Sequence, residues 1–215
     1  MWPQIQSQLE DALATTFFPR LVNDSAYTDF LHEARVQASA NSFAAGNPAD
    51  LRNVARLRAS LFVNDMRSRM AVDESTLRFK LMKGATLYRA ASSIAKGSPG
   101  GIWWFTDDIW QRCLREAGTQ TPNRVQWLHR NLAVCYDWSN CDRIVKLEIH
   151  APCEIPAIQG VGSPKTRFDS PRMFGQPLPG IIHNSTIHGG LPGGTMQTIL
   201  PFIPRLEIRS VMKLS

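Results

Sequence analysis

The segment from Gly193 to Ile208, "GGTMQTILPFIPRLEI", opens on a glycine-rich turn and continues into an apolar stretch with one uncharged amide, Gln197. Two adjacent glycines before β-branched and apolar residues are typical of a turn that leads into a buried strand. An amide on such a strand needs hydrogen-bonding partners, because an unpaired polar group inside a protein is costly. The role of Gln197 is therefore the main question that this sequence raises.

Residues 77–215, which contain this segment, have the pattern of short strands separated by turns and two helices. Thr106 and Gly118 are placed to begin and end the first helix, and Pro122 lies near the start of the second. The segment 152–194, rich in Gly, Pro and Ser, is predicted to be a long loop that covers a ligand. The predicted strands are 77–92, 101–106, 143–152, 196–203 and 205–214, and the predicted helices are 107–118 and 121–138.

Residues 1–76 are predicted to form a helical N-terminal extension. The segments 24–46 and 47–70 have helical periodicity and indicate an antiparallel pair, with Asp24 as an N-cap and Gly46 ending the first helix. The five arginines of the second segment, with no lysine, fit either a phosphate-facing surface or a solvated helix face. The apolar stripe of that segment consists of Val54, Leu57, Leu61, Phe62 and Met66.

The composition is that of one globular domain, or of one domain with a helical extension. Of the 215 residues, 43% are hydrophobic, and the net charge of +6 favours polyanionic or nucleotide partners. No apolar run reaches the roughly 18 residues of a transmembrane helix. The N-terminus carries acidic residues where a signal peptide has basic and apolar ones. We expect a protein that is cytoplasmic as synthesised and, if exported, uses a route independent of a signal peptide. The spacing of the four cysteines predicts no metal site.

The order of these elements resembles that of the ADP-ribosyltransferase superfamily. The motif of that superfamily runs from an arginine, through an aromatic residue with Ser or Thr, to a Glu-x-Glu that begins a strand continuing into xLxP. Here "TLYR" ends in Arg89, the strand "GIWWFT" ends in Thr106, and Gln197 stands where the second glutamate would be. The glutamine after a "PGG" turn is similar to the glutamine-containing toxin-type NAD glycohydrolases and ADP-ribosyltransferase toxins of that superfamily.

This resemblance implies an α+β fold in which residues 77–215 form an NAD-binding catalytic domain with a mixed two-sheet core. It implies that NAD is the substrate, that the nicotinamide glycosidic bond is broken, and that ADP-ribose passes to a macromolecular acceptor or to water. The biological setting would be a toxin or effector, in which residues 1–76 would serve delivery, substrate recognition or the binding of a neutralising partner. The implied catalytic residues are Gln197, which holds the ribose, and Arg89, which clamps the pyrophosphate. The implied NAD contacts are Tyr88, Arg89, Gly101, Trp103, Trp104, Phe105, Thr106 and Thr195.

Two other functions remain open from the sequence. A basic nucleic-acid-binding module would place the arginine-rich helix on phosphates and exposed tryptophans on bases. A catalytically inactive adaptor with the same fold would explain the missing glutamate. Arg89 also fits an ion pair at a strand end, the tryptophans fit a core, and Thr106 fits a helix cap. His183 and His188 lie in the expected cover loop, from which they would reach the cleft.

Overall fold

The computed structural model describes residues 1–23, 28–41, 47, 49–69, 72–92, 102–134, 139–149, 154–164, 191–201 and 208–214. It shows an α+β protein, as the sequence predicted, in which helices lie on both faces of one sheet. The helices are α1 (Trp2–Ala12), α2 (Phe18–Asn23), α3 (Thr28–Ala40), α4 (Leu51–Arg69), α5 (Asp107–Ala117) and α6 (Thr121–Leu132). None of the described helices is long and apolar enough to cross a membrane.

The first two helices are joined without a break by a wider π-helical turn, Leu13–Phe17. Pro19, the second residue of α2, has no N–H to donate to the carbonyl group four residues earlier. The N–H of Phe18 instead reaches the carbonyl of Leu13, five residues back. The N-terminal part is therefore helical from its second residue to Asn23, before the predicted helical pair begins.

The predicted helical pair is present as α3 and α4, which contact each other. Four of the five residues of the predicted apolar stripe on α4 are buried, but Leu61 is 43% exposed. Its neighbour Phe62 takes the inward position, and successive helical residues point about 100° apart. The predicted capping residues Asp24 and Gly46 lie outside the described part of the chain.

The sheet has seven strands in the order β1-β5-β6-β3-β2-β4-β7. Every pairing between described strands is antiparallel, so the prediction of a mixed sheet is wrong for this part of the chain. The strands are β1 (Arg78–Lys83), β2 (Thr86–Ala91), β3 (Trp103–Thr106), β4 (Arg143–Glu148), β5 (Glu154–Val161), β6 (Met196–Ile199) and β7 (Ile208–Lys213).

The strands form two halves that meet at β3, one with β1, β5 and β6 and the other with β2, β4 and β7. The first two residues of β3, Trp103 and Trp104, pair with β6. The next two, Phe105 and Thr106, pair with β2. After Tyr88, the remaining residues of β2 pair with β4 and no longer with β3. Before Phe105, the residues of β3 pair with β6 and not with β2. The two halves therefore separate between Arg89 on β2 and the tryptophans of β3.

One strand lies where the sequence predicted loop. Strand β5 falls inside the segment 152–194 and pairs with both β1 and β6. Pro156 and Gly160 lie within this strand, although proline and glycine are uncommon inside strands. Pro156 precedes Ile158, the first residue of β5 that pairs with β6. Gly160 lies close to Leu77, because a Cβ added to the glycine would be only 3.0 Å from Cδ2 of that leucine. Both residues thus suit their places in the strand.

The hydrophobic core consists of two clusters on the two faces of the sheet. Side chains alternate between faces along a strand, so neighbours such as Leu87 and Tyr88 belong to different clusters. The helices α1 to α4 pack in one cluster with strand residues that include Leu87, Trp104, Val145 and Ile158. The helices α5 and α6 pack in the other with Tyr88, Phe105 and Ile144. The N-terminal helices therefore share a continuous core with the sheet.

Candidate functional site

A cavity of about 140 Å³ lies where the two halves of the sheet separate. One wall comes from Arg89 and Ala90 on β2, and a second comes from Trp103–Phe105 on β3. Leu132–Val134, at the end of α6, and Gln197 on β6 line the cavity as well, as does Ser139. Residues from both halves of the sheet and from a helix terminus thus enclose one small, mainly apolar space.

The structure brings five of the sequence-predicted site residues to this cavity. Arg89, Trp103, Trp104, Phe105 and Gln197 all line it, although Arg89 and Gln197 lie far apart in the sequence. These residues come together because β3 lies between β6 and β2 in the sheet. Five of the residues that the resemblance selects therefore lie together at one cavity.

Three other predicted NAD contacts lie outside the cavity. The hydroxyl of Tyr88 donates a hydrogen bond to Asp107 over 3.0 Å, and its ring stacks on Trp110. Burial, and then this hydrogen bond, raise the pKa of Tyr88 to about 12. Thr106 is the N-cap residue of α5, but its side chain makes no capping hydrogen bond. Thr195 is buried before β6, where its carbonyl accepts from the N–H of Gly162. Of the remaining predicted residues, Gly101, His183 and His188 lie outside the described part of the chain.

Gln197 has a specific structural partner at the cavity wall. Its Nε2 donates a hydrogen bond to the carbonyl oxygen of Leu132 over 2.6 Å, and the residue is only 8% exposed. Leu132 is the last residue of α6, where carbonyl groups have no partner within the helix. Ala133 then takes a left-handed conformation, with φ of 51°, and ends the helix. The amide of Gln197 thus caps the end of α6.

Glycines on two adjoining segments make room for this arrangement. Gly193 and Gly194 have φ of +65° and +82°, conformations that favour glycine. Their N–H groups donate to the carbonyls of Arg130 and Gly162, respectively, each over 3.0 Å. A Cβ added to Gly162 would lie only 2.4 Å from Nε2 of Gln197. The turn before β6 and the segment after β5 therefore hold the Gln197 amide in one position.

Arg89 reaches the cavity from the other half of the sheet. It pairs in register with Val145 on β4 and is half-buried, and its burial lowers the pKa of its guanidinium. By strand alternation Arg89 points to the face opposite that of Tyr88 and its partner Phe105. Since the cavity lies in the gap between β2 and β3, groups from both faces border it. The two predicted catalytic residues therefore line one cavity from different halves of the sheet.

Sequence reasoning missed the wall formed by Ser139 and its supporting residues. Ser139 is buried, and its Oγ accepts a hydrogen bond from the N–H of Cys141 over 3.0 Å. Cys141 has a left-handed backbone, with φ of 51°, and burial raises its pKa to about 12. Its thiol is therefore protonated at neutral pH. The fully buried His129 donates from Nδ1 to the carbonyl of Val134 over 2.7 Å, and burial lowers the pKa of this histidine. No sequence pattern connects these residues.

The described lining of the cavity contains one cationic residue, Arg89, and no Asp or Glu. In the part of the chain that the structure describes, no group of three or more His, Cys, Asp or Glu side chains is placed to hold a metal ion. The chemistry of this site therefore depends on an arginine, amide and hydroxyl groups, aromatic rings and the end of a helix.

A comparison of the chain with protein-family models, with curated proteins and with solved structures finds no match. The function must therefore be argued from the residues of the cleft themselves.

Proposed function

We propose that the cleft binds the nicotinamide end of NAD, and that the protein breaks the bond between nicotinamide and ribose. The observation that carries this proposal is the convergence on one cavity of Arg89, Gln197 and the three aromatic residues Trp103–Phe105. These are the residues that the resemblance to the ADP-ribosyltransferase superfamily selects. A site assembled from distant segments in this way has the form of a ligand-binding cleft.

The size of the cavity fits one ring of the dinucleotide. A cavity of roughly 150 Å³ lined by apolar side chains can hold a benzene molecule, and this one measures about 140 Å³. Sites for larger ligands usually exceed about 300 Å³. The nicotinamide ring would therefore occupy the enclosed space beside Trp103 and Phe105, and the ribose and pyrophosphate would extend along the split towards Arg89.

Gln197 would serve two purposes at once, which explains an uncharged amide at this position. Its Nε2 donates to the carbonyl of Leu132, so Oε1 is the remaining polar atom of the side chain. That oxygen can accept a hydrogen bond from a ribose hydroxyl group. A glutamate could accept from the ribose as well, but its carboxylate has no proton to donate to Leu132. We therefore propose that Gln197 both ends α6 and orients the sugar.

The reaction requires mainly positioning and electrostatic stabilisation. The bond between C1′ of the ribose and the ring nitrogen breaks, its electron pair leaves with neutral nicotinamide, and positive charge develops on the sugar. Water or a nucleophilic group of a macromolecule then bonds to C1′ and loses its proton to solvent. Since no carboxylate lies in the described lining to activate a weak acceptor, we favour water or an already strong nucleophile.

The biological setting that we propose is a toxin or effector. Uncontrolled cleavage of NAD harms the cell in which it occurs, and a neutralising partner would protect the cell that makes the protein. Incubation of the purified protein with NAD, followed by chromatography, tests the activity: we expect free nicotinamide together with ADP-ribose or a labelled acceptor. Intact NAD after long incubation, with no label transferred in a cell lysate, would contradict the enzymatic proposal.

A second candidate is a protein of the same architecture that binds NAD without cleaving it. The observation in its favour is that no carboxylate is present in the described lining, while the Gln197 amide already has a structural partner. Calorimetry together with the chromatographic assay distinguishes the two candidates. A protein that only binds NAD would give a binding signal in the calorimeter but release no nicotinamide.

The nucleic-acid alternative has less support. Its exposed tryptophans are not found among the described residues: Trp103 is half-buried, and Trp2, Trp104, Trp110 and Trp127 are buried. On α4, Arg52 forms an exposed ion pair with Asp11. Stacking on bases by these tryptophans would require them to leave the core.

A further inference from the structure

Two further cavities adjoin each other at Trp2 and Arg67, which line both of them. The smaller one, of about 220 Å³, is bordered by one flank of α1 and by α4. The larger one, of about 440 Å³, continues past the end of α4 to the segments 72–74 and 163–164. Together they form a groove, the α1 groove, which shares none of its described lining with the cavity between the two halves of the sheet.

Trp2 brings a buried hydrogen-bond donor to the point where the two cavities meet. The residue is only 6% exposed, and within the described part of the chain no protein atom accepts a hydrogen bond from its Nε1. Trp127, which is buried to a similar extent, donates from its Nε1 to Glu116 over 2.7 Å. A buried N–H group without an acceptor is costly. A ligand in the α1 groove that carries an oxygen atom would therefore complete the hydrogen bonding of Trp2.

The α1 groove is acidic at both ends, although the chain as a whole has a net charge of +6. Glu10 lines the smaller cavity, and Asp73 and Glu74 line the larger one. None of these three carboxyl groups forms an ion pair with a residue that the structure describes. Ser75 donates two hydrogen bonds to Asp73 and thereby lowers the pKa of that carboxyl group. Both ends of the groove therefore favour cations.

The middle of the groove favours a neutral group with an acceptor oxygen. Arg67 lies there beside Trp2, and its guanidinium repels a cation but can donate hydrogen bonds to a carbonyl oxygen. The larger cavity also has an apolar wall, formed by Met66, Val72 and Pro164. The groove thus combines hydrogen-bond donors at its centre, apolar surface beside them and negative charge on both sides.

We propose that the α1 groove binds an extended segment of a partner protein that has Lys or Arg side chains on both sides of a neutral stretch. A backbone carbonyl of the segment accepts the hydrogen bond from Trp2, and its cationic side chains approach Glu10 at one end and Asp73 and Glu74 at the other. Along α1, Glu10 is about 12 Å from Trp2. An extended peptide covers this distance in about four residues. The site goes beyond the proposed function and does not depend on it.

Calorimetric titration with a peptide tests the proposal. The peptide is Lys-Ser-Val-Ser-Val-Ser-Val-Lys with both ends blocked, and its alternating valines favour an extended chain. The control peptide, Val-Ser-Val-Lys-Lys-Ser-Val-Ser, has the same composition but carries its lysines in the middle, where Arg67 would repel them. At physiological ionic strength, which screens non-specific attraction, we expect the first peptide to bind at least about tenfold more tightly than the control.

Variants assign this affinity to individual groups. Trp2→Phe keeps an aromatic ring but removes the N–H, so the first peptide should bind about fivefold more weakly or worse. Glu10→Gln and Glu74→Gln should each weaken it by about two- to fivefold, as expected for partly exposed ion pairs. Asp108→Asn, an exposed change on α5, is the matched control for loss of a carboxylate and should leave the affinity unchanged.

Nuclear magnetic resonance follows the Trp2 donor directly. Its indole N–H signal, identified by its loss in Trp2→Phe, should move downfield when the first peptide is added, because the N–H enters a hydrogen bond. Equal affinities of the two lysine peptides would overturn the proposal, as would an absence of binding or an unchanged Trp2 signal on binding. These measurements involve neither NAD nor nicotinamide release, so their outcome is separate from that of the enzymatic proposal.

Discussion

The side-chain amide of Gln197 and the carbonyl oxygen of Leu132 are joined by a hydrogen bond of 2.6 Å. This bond connects β6, a strand inside the sheet, to the last residue of α6. Leu132 and the next two residues line the cavity, so the bond also helps to determine where Ala133 and Val134 lie. Gln197 therefore contributes to the shape of the cleft as well as to its polar surface.

The variant Gln197→Ala should lose both activity and stability. Removing a group that orients the ribose in the transition state should lower nicotinamide release by about a hundredfold or more. The buried carbonyl of Leu132 also loses its side-chain partner, which should cost about 1–3 kcal/mol of unfolding free energy. Nicotinamide release and urea unfolding, measured on the same preparation, check the two effects. Unchanged release would exclude Gln197 from the active site.

The variant Gln197→Glu should be less stable than the wild type at neutral pH, because a carboxylate cannot donate to Leu132 and is buried beside its carbonyl. Both effects raise the pKa of the new carboxyl above its unfolded value of about 4.3. A folded pKa above the unfolded one means that the protonated form stabilises the fold. The deficit relative to the wild type should therefore shrink as the pH falls from 7 to 4. Urea unfolding of both proteins at several pH values measures this difference in unfolding free energy. A deficit independent of pH would show that the new carboxyl group does not face Leu132.

The variant Gly162→Ala should disturb the proposed active site while leaving Gln197 chemically intact. The added Cβ would lie 2.4 Å from Nε2, so the amide must move away from Leu132. We expect nicotinamide release to fall by at least about tenfold, through an effect on orientation. Gly160→Ala is the matched control, since its Cβ would contact Leu77 and Val72 instead. Equal losses of activity in both variants would indicate a general effect on β5.

The N-terminal helices should be indispensable for folding, in contrast to a detachable extension. Leu9 on α1 is fully buried in the cluster that contains Leu87 and Trp104 of the sheet. Leu9→Ala should therefore lower the free energy of unfolding by about 2–5 kcal/mol, monitored in a single cooperative transition. A fragment of residues 77–215 should fail to give a cooperative transition. A stable, cooperative fragment would show instead that residues 1–76 form a separate unit.

Acidification should weaken the fold through His129. Burial lowers the pKa of this histidine below its unfolded value of about 6.5. Below that pH the unfolded chain binds a proton that the folded protein excludes, so stability falls by at most about 1.4 kcal/mol per pH unit down to the folded pKa. Urea unfolding between pH 7.5 and 5.5 should show a smaller pH dependence in His129→Gln than in the wild type. The same dependence in both proteins would assign the effect to another group.

Much of the secondary structure could be predicted because its signals are local. Thr106, Pro122 and Gly118 mark the limits of α5 and α6, and alternating residues identify β2 and β3. Strand β5 was missed because the segment 152–194 is rich in Gly, Pro and Ser, while the partners of the strand, β1 and β6, lie far away in the sequence. Helix α6 ends at Leu132 instead of at residue 138, because Ala133 takes the left-handed conformation. The sequence did not indicate this end, since the residue in that conformation is usually a glycine.

The sequence by itself determined that helices come first and that strands carrying Arg89, an aromatic run and Gln197 follow, because each depends on residues close together in the chain. Only the tertiary structure decided that these strands lie side by side and that the sheet separates at β3 to leave a cavity. It alone also decided the partner of Gln197. The partner is a backbone carbonyl group without a hydrogen bond inside its helix, and every helix has such groups at its C-terminus. The sequence therefore does not indicate which of them a distant side-chain amide will bind.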